Sequence, residues 1–343
     1  MAWYTYAIAA ALIAGASWAA VGVVRILLLR HAVLDHPNTR SSHTVATPRG
    51  GGIGVLIVAL PAWTIVGLTV PASLSGPTMT TWAVPAGCLG LALVSWIDDL
   101  RSLGPVIRLA SHALATTALV LFLPGLVFQG LLPPLLDAAA AALLWVWFIN
   151  LFNFMDGIDG IAGVETLALG GGLALAGLTT VPLVADHLQA GVLAAAVLGF
   201  LIWNRPPAKI FLGDVGSVPL GYLLGWLLLG LAATGQWQAA MILPLYYLAD
   251  TTLTLGRRLL RGKRVWQAHR DHWYQQAVRA GRSHATVTGA VGLANAVLVA
   301  LAVIAAQRND TALTGWLCLA AATLLVLILL RWMAMPARIR SQR

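Results

Sequence analysis

Long apolar runs separated by short polar intervals set the pattern of this chain. The apolar stretches cover residues 2–29, 52–70, 82–97, 106–123, 135–152, 164–181, 188–203, 218–233, 238–255, 287–306 and 311–332. A helix needs about 20 residues to cross the hydrocarbon core of a bilayer. No water reaches that core, so the backbone must bond within each segment, and helices are predicted throughout. The pattern therefore predicts an all-α, polytopic transmembrane helix bundle of about eleven spans. They use most of the chain, which leaves one integral-membrane domain over 1–343 and no room for a soluble one.

Composition agrees: 59% of residues are hydrophobic, 10% are charged and the mean hydropathy is +0.83. A soluble globule is excluded. The basic residues then set an orientation. With the N-terminus outside, 19 of the 21 Lys and Arg fall on one side: in the intervals 30–51, 98–105, 153–163, 204–217 and 257–286, at Arg108 just beyond the second of these, or at the C-terminal end. Arg25 sits near the inner end of the first span, and Arg308 alone falls outside. The positive-inside rule makes the basic side and the C-terminus cytoplasmic. No basic residue precedes the first span, and its apolar run is longer than a leader requires, so it reads as a retained helix. Cys88 and Cys318 lie inside spans and read as packing residues. No nucleic-acid partner is expected.

The few acidic side chains carry the chemistry. Only 12 Asp and Glu occur, and several gather in three segments that abut apolar runs: 96–100 (WIDDL), 150–160 (NLFNFMDGIDG) and 211–217 (FLGDVGS). Carboxylates at a membrane boundary are costly to desolvate, which makes a convergent set a functional site by default. Oxygen ligands beside glycine-permitted backbone suit a hard cation and a phosphate. Asp98 and Asp99 are neighbours, about 100° apart on a helix, so they cannot share one role. Asn150, Asn153, Asp156 and Asp159 recur every third residue, a spacing that drifts about 60° per step on a continuous helix. Gly157 and Gly160 are placed to end or distort that helix and turn the two aspartates back toward the amides. Asp214, between glycines just before a span, suits a metal ligand at a helix N-terminus that also collects phosphate oxygens.

Two basic intervals complete the set. In the first, Arg40, His43 and Arg49 are anion binders beside Gly50–Gly52, with a plain positive-inside turn as the alternative. The second, 257–286, contains His269, Arg270, Asp271 and His272; the two histidines would lie one turn apart on a helix. Among so many arginines a diphosphate clamp fits better than zinc, and a basic stretch on anionic lipid is the alternative.

Taken in order, these motifs resemble those of the polyprenyl-phosphate N-acetylhexosamine-1-phosphate transferases of glycosyltransferase family 4, which include the WecA, TagO and MraY types. The resemblance implies transfer of a sugar 1-phosphate from a UDP-sugar to undecaprenyl phosphate, releasing UMP, at the cytoplasmic face of a bacterial inner membrane. It implies catalytic carboxylates at Asp98, Asp99, Asp156 and Asp159, and a cation, Mg²⁺ or Mn²⁺, at Asp214 and Asn153. It places substrate contacts at Arg40, His43, Arg49, Asn150, His269, Arg270, Asp271 and His272. A homodimer is compatible with it. Asp271 departs from the usual His-x-His-His pattern and leaves the choice of sugar open, with 6-deoxy-N-acetylhexosamines such as QuiNAc or FucNAc beside GlcNAc. The alternatives weighed are a transporter or lipid-linked-sugar flippase, which would place its charges near the midplane, and a CDP-alcohol phosphotransferase, whose acidic spacing is absent.

Overall fold

The computed structural model describes residues 3–37, 45–71, 79–177, 184–264, 269–307 and 312–336. Arg40 and His43 lie outside the described residues. The described chain forms α1 (Trp3–Arg30), α2 (Gly52–Thr69), α3 (Thr80–Arg101), α4 (Pro105–Thr117), α5 (Pro134–Phe154), α6 (Ile161–Gly177), α7 (Val184–Asn204), α8 (Asp214–Ala233), α9 (Trp237–Ile242), α10 (Leu245–Leu260), α11 (Trp273–Arg279), α12 (His284–Ala305) and α13 (Ala312–Ala334). A two-residue antiparallel pair, β1 (Leu34–Asp35) with β2 (Thr47–Pro48), closes the connection between α1 and α2.

Nine helices among the described residues are long and apolar enough to cross a membrane. Two of the eleven apolar stretches depart from that length. Within the described residues the sixth becomes α6, with 17 residues. The ninth is split into α9 and α10 at Leu243 and Pro244. Pro244 has no N–H to offer and starts a new helix. On α10 the polar residues Asp250, Thr251, Thr254 and Arg258 are buried while Leu253, Leu259 and Leu260 are exposed. Elsewhere large apolar side chains such as Leu114, Leu143, Leu293 and Leu324 stand more than half exposed. In a polytopic bundle that is the surface lipid solvates.

The buried centre is α8, packed against α2, α3 and α5. Small residues allow the close approach. A Cβ on Gly52 would fall 2.1 Å from the Cα of Gly216. The segment before α2 also docks on the segment before α8: Gly50 and Gly51 N–H donate to the Phe211 carbonyl, and Gly52 N–H to that of Leu212. Residues more than 150 positions apart are thereby joined at one end of the bundle. The same end gathers the C-terminal ends of α3 and α5 and the N-terminal ends of α4, α8 and α12.

Candidate active site

Arg49 is delivered by the docked segment before α2. One of its guanidinium nitrogens lies 2.9 Å from Asp99 Oδ1 and 2.7 Å from Asp214 Oδ1. Burial works against the charge on Arg49, yet Asp214, Asp99 and Asp35 together hold its pKa above the ordinary value. The Asp99 carboxylate also accepts from the backbone N–H of Asp214 at 3.2 Å and of Val215 at 3.0 Å. It thus caps α8 from α3, satisfying donors that a helix N-terminus leaves open. This revises one expectation: Asp99 already occupies the first turn of α8, so that turn is not an open phosphate cradle. Asp98, about 100° round the helix, faces elsewhere. It accepts from Leu103 N–H and from Arg108 at 3.3 Å, and its carboxyl group lies against that of Asp214.

The third acidic segment leaves the helix as its glycines predict. α5 ends at Phe154, and Gly160 takes a positive φ of 80°. A Cβ on Gly157 would fall 2.1 Å from the Tyr274 hydroxyl, so this turn has room only for glycine. Asn153 Nδ2 donates to Ser217 Oγ at 2.9 Å, within the first turn of α8. Asp156 lies in the field of Arg49, Asp214, Asp99 and Asp159. Burial, against the pull of Arg49 and with the three carboxylates adding to it, pushes its pKa up to about 7.

Asp159 and Asn150 point to other neighbours. Asp159 accepts from Ala208 N–H at 3.0 Å, and its other oxygen is 3.3 Å from His284 Nδ1. It ties the segment before α8 to the start of α12. Asn150 donates to the Val146 carbonyl at 2.7 Å and sits 3.1 Å from His112 Nδ1 on α4. The structure therefore brings together Arg49, Asp98, Asp99, Asp156 and Asp214, with Asn153 one turn along.

The histidine loop differs from the helical spacing read in the sequence. α11 begins only at Trp273, and His272 has extended backbone. His269 and His272 meet instead by stacking, with ring centroids 5.0 Å apart. Burial, with the neighbouring His272 and Arg258, lowers the His269 pKa to about 4. Burial acts to raise the Asp271 pKa, but the hydrogen bond and charge of Arg258 outweigh it and hold that carboxylate below its ordinary value. Asp271 pairs with Arg258, which also donates to the Arg264 carbonyl. Arg270 lies in the same loop, half-buried.

Among the described residues no three of His, Cys, Asp and Glu form a ready-made metal cage. The donor chemistry still suits a hard cation. One cationic nitrogen is already held between Asp99 and Asp214, and the surrounding groups are carboxylate and amide oxygens. The fit is one of ligand type.

Several residues of this end were not singled out in the sequence. Arg108 and His112 stand four apart on α4, a polar pair on one face of an apolar helix, which is the signal that could have found them. Ser217, Tyr274 and His284 were hidden because their partners are remote in sequence.

A helical bundle with exposed apolar flanks and a carboxylate–arginine cluster at its helix ends defines a polytopic membrane protein with a polar site at one end. The transporter reading required charges at mid-length, and these sit at the ends. Residues 81–232 match the model of glycosyl transferase family 4. The chain is 30% identical over 304 residues to the decaprenyl-phosphate N-acetylglucosaminephosphotransferase of Mycolicibacterium smegmatis, covering 77% of this chain and 73% of that one. It is 27% identical over 285 residues to the probable undecaprenyl-phosphate N-acetylglucosaminyl 1-phosphate transferase of Bacillus subtilis, covering 76% and 74%. It is 27% identical over 323 residues to the undecaprenyl-phosphate alpha-N-acetylglucosaminyl 1-phosphate transferase of Yersinia pestis, covering 89% and 85%. The chain belongs to glycosyl transferase family 4, as its motifs implied.

Proposed function

We propose that this protein transfers an N-acetylhexosamine 1-phosphate from a UDP-sugar to undecaprenyl phosphate. An oxygen of the lipid phosphate bonds to the β-phosphorus of the donor, the bond from that phosphorus to the bridging oxygen breaks, and UMP leaves. The product is a lipid-diphosphate-linked sugar that initiates cell-surface glycan synthesis. The carrying observation is Arg49, held between Asp99 and Asp214 at the junction of three remote segments. Two anionic phosphates must approach each other here, and fixed positive charge offsets their repulsion.

The residues divide by role. Asp99 fixes Arg49 and the first turn of α8. Arg49 and Arg108, each with more than a third of the side chain exposed, face the phosphates. Asp98 and Asp156 are the carboxylates placed to hold or move a proton beside them. Asp214 and the free oxygen of Asn153 would hold Mg²⁺, or Mn²⁺ in its place. Bound there, the cation would neutralise phosphate charge and stabilise the leaving UMP.

The basic asymmetry supports eleven passes with the N-terminus outside and the site on the cytoplasmic face of a bacterial inner membrane. The test is a labelled panel of UDP-GlcNAc, UDP-QuiNAc and UDP-FucNAc with undecaprenyl phosphate and purified protein. UMP release with at least one sugar, dependent on the lipid, is expected; release with none overturns the reading.

A further inference from the structure

Asp250 is fully buried on α10, away from the acidic cluster, and no role has yet been given to it. It is nevertheless an acceptor for five donors. Oδ1 takes Thr254 Oγ1 at 3.3 Å, His272 Nδ1 at 3.1 Å and Trp273 N–H at 3.1 Å. Oδ2 takes the Tyr246 hydroxyl and Tyr274 N–H, both at 3.3 Å. Two of these are first-turn N–H groups of α11, so Asp250 caps that helix from its neighbour.

The consequence reaches the histidine loop. Because a carboxylate accepts from Nδ1, His272 is fixed as the Nδ1–H tautomer. Its ring stacks with that of His269 at 5.0 Å and with that of Tyr274 at 5.8 Å, each pair inclined by 26°. Tyr274 in turn donates to the carbonyl of Phe154, the last residue of α5 and two before Asp156. Arg258, two turns along α10 from Asp250, pairs with Asp271. The loop is thus held at two points on one helix.

Within the column the two histidines are unequal. His272 is 2% exposed, whereas His269 is half-buried. His269 Nδ1 accepts from Asp271 N–H at 3.4 Å, which leaves Nε2–H as its free donor.

We propose that Asp250 is a positioning residue for the nucleotide-sugar: it locks His272 as a buried ring support, and this support holds His269 with Nε2–H available to the donor's diphosphate. His272 then acts from beneath, and His269 is the imidazole that meets substrate. This rests on the transferase reading, since the diphosphate is that of the UDP-sugar.

The experiment is a double-mutant cycle of Asp250→Asn and His269→Ala, read by calorimetric binding of UDP and by separate KM values for UDP-sugar and undecaprenyl phosphate. Asp250→Asn should weaken UDP binding and raise the donor KM by about tenfold, with the lipid KM unchanged. In the His269→Ala background it should have no further effect. Histidine ¹⁵N spectra, with His272→Gln for assignment, should show the Nδ1–H tautomer of His272 in the wild type and its loss in Asp250→Asn. If Asp250→Asn does not fold, His272→Phe keeps a flat ring, deletes the bond to Asp250 and carries the same expectation. Unchanged UDP binding, additive effects or equal damage to both KM values would overturn the proposal. A wild-type protein that binds no UDP would instead count against the transferase reading itself.

Discussion

Arg49 and Asp214 are 165 positions apart in sequence and meet at 2.7 Å. The contact depends on backbone. Glycines before α2 dock on the segment before α8, which carries Arg49 across to the first residue of that helix. The same nitrogen meets Asp99, so one guanidinium serves two carboxylates that would otherwise repel.

Arg49→Lys should keep the charge but lose the guanidinium donors beyond the one nitrogen that meets both carboxylates, the donors left to face a phosphate. We expect kcat/KM to fall by about tenfold or more, the cost of roughly one charged hydrogen bond, with the protein still folded. Steady-state kinetics beside a thermal melt checks this. Wild-type kinetics in the lysine variant would mean that Arg49 only closes a loop.

Asp98 and Asp99 both adjoin Asp214 but should separate experimentally, because Asp99 caps α8 and holds Arg49 whereas Asp98 bonds Leu103 N–H and Arg108. Asp99→Asn removes part of a helix cap, typically worth about 1 kcal/mol, so it should lower Tm as well as activity. Asp98→Asn should lower turnover with little change in Tm. Identical behaviour in both assays would show that the two carboxylates are not divided as described.

Cation dependence is expected to act through Asp214. Chelation by EDTA should abolish transfer, added Mg²⁺ or Mn²⁺ should restore it, and Asp214→Ala should lose nearly all turnover with the fold intact. Full activity in EDTA would remove the cation from the account.

Orientation can be tested by accessibility. A cysteine placed in the 257–286 interval should resist an impermeant thiol reagent in whole cells, and one near position 310 should react. The opposite labelling pattern would put the site on the wrong face for cytosolic UDP-sugars.

Much of this was legible in the chain before its fold. Apolar runs show spans because lipid demands about 20 apolar residues in a row, and the divergence of Asp98 from Asp99 follows from helix geometry alone. The break at Pro244 was harder to see, since the residues around it are as apolar as those of an intact span. Asp250 is a single charge within the apolar run 238–255, and nothing adjacent to it in sequence marks a role. Its meaning comes from His272, Trp273 and Tyr274, more than 20 positions on, and no local pattern reports them. The motif implies a catalytic carboxylate at Asp159 beside Asp156; its bonds to His284 and Ala208, remote in sequence, also tie the segment before α8 to the start of α12. Asp271 stood out as a departure from a motif, but its pairing with Arg258 could be seen only once α10 was in place.

The central claim is that a phosphate, with its sugar, moves to the lipid. UDP-sugar labelled with ³²P at either the α or the β position, incubated with undecaprenyl phosphate and purified protein, tests it directly. The β label should pass into the organic-extractable lipid while the α label appears in UMP, in equal amounts. A β label that stays in the nucleotide as UDP would mean that the bare sugar is transferred, and no labelled lipid with any sugar would mean that this site is not a transferase.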